Sequence, residues 1–227
     1  YVFRALDVKT NRRCALKLLN DAAPDELLRN KLGFRRMMSI EHPNLLRVDR
    51  IYQLGSYIAL SMEEVDGRTL RKAIKEYKKQ DPQLAYATLL KLMRDFATGL
   101  AVMHANGCIH RDIKPENLMV DGNGRGRVID YGLVDSFELD QATYSARGFL
   151  LGTQHYIAPE VIWSQRYLPA GDIFSLGIVI LDALRSIRRS SRNFDAELKR
   201  SDTNQMDDAL RIDVAIEGLP KSVPSII

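Results

Sequence analysis

The chain has 227 residues, 45% hydrophobic and 27% charged, with 33 Lys and Arg against 29 Asp and Glu for a net charge of +4. This is an ordinary soluble composition that can bury a real core as one large or two modest domains. Cys14 and Cys108 lie far apart with no C-x-x-C pair, so neither a disulfide framework nor a zinc site is indicated, and no apolar run approaches the ~18 residues that span a bilayer.

A reducing compartment fits these cysteines best. The basic excess is spread along the chain apart from Arg185, Arg188, Arg189 and Arg192, which read as a solvated helix face in preference to a nucleic-acid or anionic-lipid patch. No signal peptide is visible. Tyr1 in place of an initiating Met implies an excerpt from a longer chain, whose flanking segments, a membrane tether included, the sequence leaves open.

In chain order, YVFRALDV and CALKLL alternate in the manner of strands, and the polar stretch Lys9 to Arg13 reads as the hairpin turn between them. DAAPDELLRNKLGFRRMMSI has Pro and acids near its start and apolar Leu28, Leu32 and Met37, which predicts a helix; His42-Pro43-Asn44 stops it. LLRVDRIYQLG and SYIALSMEEV, parted by Gly55 and Ser56, predict further strands and bring the sheet to at least four. From Val65 the pattern changes. Residues 84–104 place Leu89, Met93, Phe96, Ala97, Leu100 and His104 at helical spacing, and Asn106-Gly107 ends that helix. Strands first and helices later argue an α+β chain, a small sheet-rich lobe joined to a helical lobe near Asp66-Gly67.

The stretch IHRDIKPENLMV, from Ile109 to Val120, sets Asp112, Lys114 and Asn117 on a short piece of chain between apolar residues. His110-Arg111-Asp112 followed by Lys114 and Asn117 matches the pattern H-R-D-x-x-x-x-N. Asp130-Tyr131-Gly132 comes next, preceded by Val128-Ile129, and Ala158-Pro159-Glu160 stands further on. In this order and spacing the motifs resemble those of the eukaryotic-type serine/threonine protein kinases, with bacterial members closest in flavour. The resemblance covers nearly the whole chain. Cys14-Ala15-Leu16-Lys17 is similar to the family's V-A-I-K strand, Met62-Glu63-Glu64-Val65 to its gatekeeper and hinge, and GTQHYIAPE to the end of its activation segment. Asp172 is similar to the buried acid that steadies the catalytic loop, and Lys114 with Thr153 points to Ser/Thr rather than Tyr as the acceptor.

The resemblance implies a bilobal domain, residues 1–65 forming the small antiparallel-sheet lobe and 66–227 the larger helical lobe, that transfers the γ-phosphate of ATP to Ser or Thr of a protein substrate with Mg²⁺ present. Such a reaction asks for little covalent help, so the site must orient a hydroxyl and spread the phosphate charge. By the family's pattern Asp112 orients or deprotonates that hydroxyl, Lys114 neutralises the moving phosphoryl group, and Asn117 with Asp130 holds Mg²⁺. Lys17 reaches the α and β oxygens, Val2 and Ala15 cover the adenine from above and Met119 from below, and backbone groups of Glu63 and Val65 read its edge. For Val2, Ala15 and Met119 ordinary core packing is an equally good account. His104 and His110 read as structural histidines. A cytoplasmic kinase domain is expected, with no nucleic-acid partner.

The family's pattern is not met throughout. The first residues align just after the third glycine of G-x-G-x-x-G-x-V, and the end falls before the last helices of the large lobe, so a domain incomplete at both ends is expected. Counted back from His42, the helix position that carries the family's glutamate partner of Lys17 is Gly33, and Lys31, Leu32, Phe34 and Arg35 offer no carboxylate. Glu26 stands about two turns upstream. That leaves Lys17 without its partner and keeps a pseudokinase scaffold, which binds nucleotide or partners without catalysis, as the alternative. A small-molecule phosphotransferase is disfavoured by GTQHYIAPE. Glu160 is expected to lack a buried partner, and Tyr131, in place of the usual Phe, adds a hydroxyl that needs one. Arg111 with Thr143, Tyr144 or Ser145 offers a place for a regulatory phosphate, although plain loop polarity explains those three equally well. Thr153 is expected to serve the substrate-facing loop.

Overall fold

Alternating side chains and a polar turn make the chain's start a hairpin: β1 (Val2–Asp7) pairs antiparallel with β2 (Arg12–Leu19). Asn11 takes φ 53° in the turn, a left-handed conformation that Asn tolerates better than most residues. The computed structural model describes residues 1–19, 33–54, 57–131, 135–136, 153–164 and 166–190. Glu26, Lys31, Leu32, Gly55, Ser56, Gly132, Thr143, Tyr144, Ser145, Arg192 and the final stretch to Ile227 lie outside these, as does the side chain of Arg189.

The strands predicted after His42 form as β3 (Val48–Leu54) and β4 (Tyr57–Glu63), giving a four-stranded antiparallel sheet in the order β1-β2-β4-β3. Directly opposed residues share a face of a sheet. Lys17 lies opposite both Val2 and Leu60, and Ala15 opposite Met62, so Val2, Ala15, Lys17, Leu60 and Met62 line one side. Residues 33–38 are helical (α1), and Phe34 and Met37 from this turn are buried in the same cluster as Leu60 and Met62.

Beyond Glu63 a short strand β5 (Gly67–Thr69) leads into helices α2 (Leu70–Tyr77) and α3 (Pro82–Ala105). The N-cap of α3 is Asp81, whose carboxylate accepts the N–H groups of Gln83 and Leu84 at 3.0 and 3.1 Å, with Pro82 supplying a residue that has no N–H to satisfy. Its buried face, Leu89, Met93, Phe96 and Leu100 among the predicted positions, also takes in Leu92 and Met103. Gly107, at φ 71°, ends the helix as the Asn-Gly pair predicts.

α3 packs against α5 (Pro169–Ser190) and against β8 (Gly126–Val128). β8 belongs to a second sheet, ordered β5-β7-β8 with β7 (Leu118–Asp121) in the centre. β6 (Cys108–Ile109) pairs with β9 (Asp135–Ser136), and a single 3₁₀ turn (Gln154–Tyr156) precedes α4 (Pro159–Ser164). The loop after α1 joins the two sheets. The Asn44 carbonyl accepts the Val128 N–H at 2.8 Å, its amide donates to the Gly126 carbonyl at 2.8 Å, and the Leu46 N–H donates to the Val128 carbonyl at 3.0 Å. A Cβ at Gly99 of α3 would stand 2.8 Å from the Asn44 carbonyl oxygen, so only glycine lets the helix approach this junction. Cys14 and Cys108 are buried, and neither forms a disulfide.

Candidate active site

The loop from β6 to β7 is built around Asp172, which comes from the first turn of α5 and is 2% exposed. One of its carboxylate oxygens accepts the N–H of His110 at 2.8 Å and the His104 ring N–H at 2.8 Å, and the other accepts the N–H of Arg111 at 2.8 Å. Bonds of this kind are about twice as strong as neutral ones. They let Arg111 sit at φ 67°, a left-handed conformation costing a non-glycine residue about 1–2 kcal/mol. The Arg111 guanidinium also lies over the Tyr167 ring, 5.4 Å from its centroid. The His110 ring spans the loop, donating from Nε2 to the Ile129 carbonyl at 3.0 Å while Nδ1 accepts the Asp112 N–H at 3.3 Å. Both histidines are therefore structural, as expected: His104 braces Asp172, and His110 ties the loop to the turn that carries Asp130.

On this frame Asp112 gathers four donors. Its Oδ1 accepts the Thr153 hydroxyl at 3.0 Å and the Thr153 N–H at 3.2 Å; Oδ2 meets Lys114 Nζ at 2.6 Å and the Asn117 amide at 2.9 Å. Lys114 Nζ also donates to the Thr153 hydroxyl at 3.0 Å, so Thr153 ties the segment before Ala158-Pro159-Glu160 directly to the loop. A second bond of Asn117 runs to the Asp112 backbone carbonyl at 2.8 Å, so the amide nitrogen is committed to Asp112 and the amide oxygen is the atom that could serve a cation. The structure thus brings Asp112, Lys114 and Asn117 together with Thr153.

Lys17 forms an ion pair with Asp130. The sequence leaves this lysine without a carboxylate because Gly33 occupies the family's glutamate position; the tertiary structure supplies Asp130 instead. Asp130 takes φ 65°, a second strained residue at the site, and its side chain is 39% exposed. A carboxylate and an amide oxygen form a hard donor set that suits Mg²⁺, which keeps waters and phosphate oxygens as its remaining ligands, so Asp130 and Asn117 fit that ion. Among the described residues no group of three or more His, Cys, Asp or Glu side chains is arranged for a metal.

The residues expected around adenine divide between the two sheets. Ala15 is half-buried on β2, Val2 is exposed on β1, Met119 is half-buried on β7, and Val65 packs against the core just past β4. The Glu63 N–H donates to the Arg47 carbonyl at 3.1 Å, so the backbone group that residue can offer a base is its carbonyl. Its carboxylate pairs with Arg127 of β8, whose guanidinium also reaches the Leu45 carbonyl at 2.9 Å, and accepts the Arg47 N–H at 2.7 Å. That network is invisible in the sequence, since Arg127 sits amid ordinary strand alternation. The Tyr131 hydroxyl finds the partner it needs, the Val128 carbonyl at 3.1 Å, and its burial pushes the phenol far above the usual tyrosine range. Glu160 is half-buried, and among the described residues no cation pairs with it.

A small antiparallel sheet, a helical body, a loop that gathers Asp112, Lys114 and Asn117, and the Lys17–Asp130 ion pair are the features that the kinase pattern in the sequence calls for. Residues 1–224 match the protein kinase domain family, and the chain belongs to it. The chain is similar to serine/threonine-protein kinase PknL of Mycobacterium tuberculosis, 30% identical over 229 residues that cover 100% of this chain and 55% of PknL. It is also similar to probable serine/threonine-protein kinase pknA2 of Bifidobacterium longum, 31% identical over 189 residues covering 81% of this chain and 24% of that one. Serine/threonine-protein kinase PknA of Mycobacterium tuberculosis is 29% identical over 195 residues, covering 82% of this chain and 44% of PknA. The chain thus spans about half the length of PknL and less of the other two, and the bacterial flavour of its motifs is matched by bacterial relatives. No described helix is long and apolar enough to cross a membrane.

Proposed function

We propose that the protein containing this chain transfers the γ-phosphate of ATP to Ser or Thr hydroxyls of protein substrates, with residues 1–65 and 66–227 as the small and large lobes of its catalytic domain. The observation that carries this reading is the Asp112 cluster: a carboxylate held by Lys114, Asn117 and Thr153 on a loop that Asp172 fixes from below. In this reading Asp112 orients the acceptor hydroxyl and takes its proton, and the adjacent Lys114 ammonium offsets negative charge on the phosphoryl oxygens. Lys17 holds the α- and β-phosphates, exchanging part of its attraction to Asp130 for them. Val2 and Ala15 close the adenine from one side and Met119 from the other, while the Glu63 carbonyl and the Val65 backbone read its edge. Asn117 and Asp130 hold Mg²⁺, which when bound neutralises phosphate charge and fixes the geometry of the triphosphate.

The test is transfer of labelled γ-phosphate by the full-length protein to itself and to a mixture of Ser- and Thr-containing peptides, with nucleotide affinity measured in parallel. Label that appears with the natural sequence and disappears in Asp112→Asn supports the reading. Undiminished transfer by Asp112→Asn sinks the role given to that residue, and nucleotide binding without transfer by the natural protein sinks the enzyme reading.

A further inference from the structure

Beside the Asp112 cluster stands a charged group that phosphoryl transfer does not use. Arg71, in the first turn of α2, donates from Nε to Glu116 Oε1 at 2.7 Å and from a terminal nitrogen to the Tyr156 hydroxyl at 3.2 Å. Its backbone N–H bonds the Pro115 carbonyl at 3.2 Å. Glu116 lies between Lys114 and Asn117 in the loop that carries Asp112, and Tyr156 belongs to GTQHYIAPE. A single guanidinium therefore joins α2, the catalytic loop and the segment that Thr153 fastens to Asp112.

The pair is not a core contact. Arg71 and Glu116 side chains are 46% and 47% exposed, so both are open to solvent, and Glu116 stands on the same loop as Asp112, within reach of the flanks of a polypeptide bound there in the reading above. Burial alone would raise the Glu116 carboxyl, but the bond and charge of Arg71, with Lys114 adding to them, bring it below its ordinary value. The Glu116 bond in turn raises Arg71. A carboxylate already matched by one guanidinium has little left to offer a second cation, and an incoming Arg or Lys would face the like charges of Arg71 and Lys114.

We propose, resting on the kinase reading above, that Arg71 is a specificity-determining residue: by occupying Glu116 it turns the enzyme away from substrates with Arg or Lys beside the acceptor and toward flanks that are neutral or acidic. The pair is half exposed, so its effect on selectivity is about fivefold rather than a hundredfold.

The experiment uses the full-length protein and a peptide set in which Arg, Glu or Ala is scanned through the positions flanking one acceptor. Both kcat/KM for transfer and the affinity of matching peptides with Ala at the acceptor, read by fluorescence anisotropy, are measured. Natural protein should disfavour the Arg peptides. Arg71→Gln, which bares Glu116, should raise the Arg-to-Ala ratio about fivefold at one or two positions, and adding Glu116→Gln should remove that gain. Glu116→Gln alone bares Arg71 and should shift preference to the Glu peptides, an independent reading should Arg71→Gln prove unstable. Equal changes for all peptides would reduce Arg71 to a brace and overturn the proposal, as would a natural preference for Arg. If no variant transfers phosphate, the kinase reading has failed, and the anisotropy ratios still decide whether Arg71 selects the flank.

Discussion

The Asp112 loop and the four-stranded sheet that carries Lys17 hold their charged groups by opposite means. Asp112 is fixed by four donors on a loop whose backbone is fixed in turn by Asp172, nearly all of it out of water. Lys17 reaches across to Asp130, an acid more than a third exposed and on a strained residue. The first arrangement is over-determined and keeps its geometry without a ligand; the second rests on an ion pair that a phosphate group and a cation can both compete for. In the proposed reading, groups that position the acceptor are pre-organised at no cost to binding, whereas groups that meet the nucleotide exchange partners when it arrives.

That contrast can be broken most severely at its rigid end. Asp112→Asn should lower transfer by about 10²–10⁴-fold while nucleotide affinity is retained, measured by turnover beside calorimetry. Next in size is Asp172→Ala, which leaves the buried N–H groups of His110 and Arg111 without acceptors. It should cost about 3 kcal/mol in urea denaturation, and a loss under about 1 kcal/mol would mean that Asp172 does not frame the loop.

The softer end should respond in binding before it responds in folding. Asp130→Asn keeps a residue type that tolerates left-handed backbone but removes the charge facing Lys17. The Mg²⁺-dependent part of nucleotide affinity should fall by about tenfold or more with little change in melting temperature. If affinity keeps its full Mg²⁺ dependence, Asp130 is not a ligand. The smallest effect belongs to the Arg71–Glu116 pair. Since Glu116 has a lowered carboxyl pKa in the folded state, it stabilises the fold at pH values above its unfolded-state pKa, and that contribution is lost as pH falls through the folded value. Discounted for exposure, the difference between the natural protein and Glu116→Gln should be under about 1 kcal/mol near neutrality and vanish in acid.

How far this was legible in the sequence differs between elements for physical reasons. The hairpin, the later strands and α3 announce themselves because half-buried elements repeat their apolar residues at the period of their own geometry. The helix α2 also carries such a signal, with Leu70, Ala73, Ile74 and Tyr77 buried on one face, yet at 8 residues it is too short for its period to stand out in the sequence. The Asp112 loop was legible because its members sit close in sequence. The partner of Lys17 was not: the register of α1 points to Gly33 and to a missing acid, and the acid that answers the lysine lies on a different sheet's exit turn.

By itself, then, the sequence determined which chemical groups are present, their order, and which of them one short loop must hold together, because local spacing is covalent. Tertiary structure alone decided that Asp130 faces Lys17, that Arg127 grips Glu63, and that Arg71 occupies Glu116. Those pairings join residues far apart in the chain, and an ion pair leaves no period or motif behind. Its partners are chosen by how the sheets and helices pack, and only then by charge.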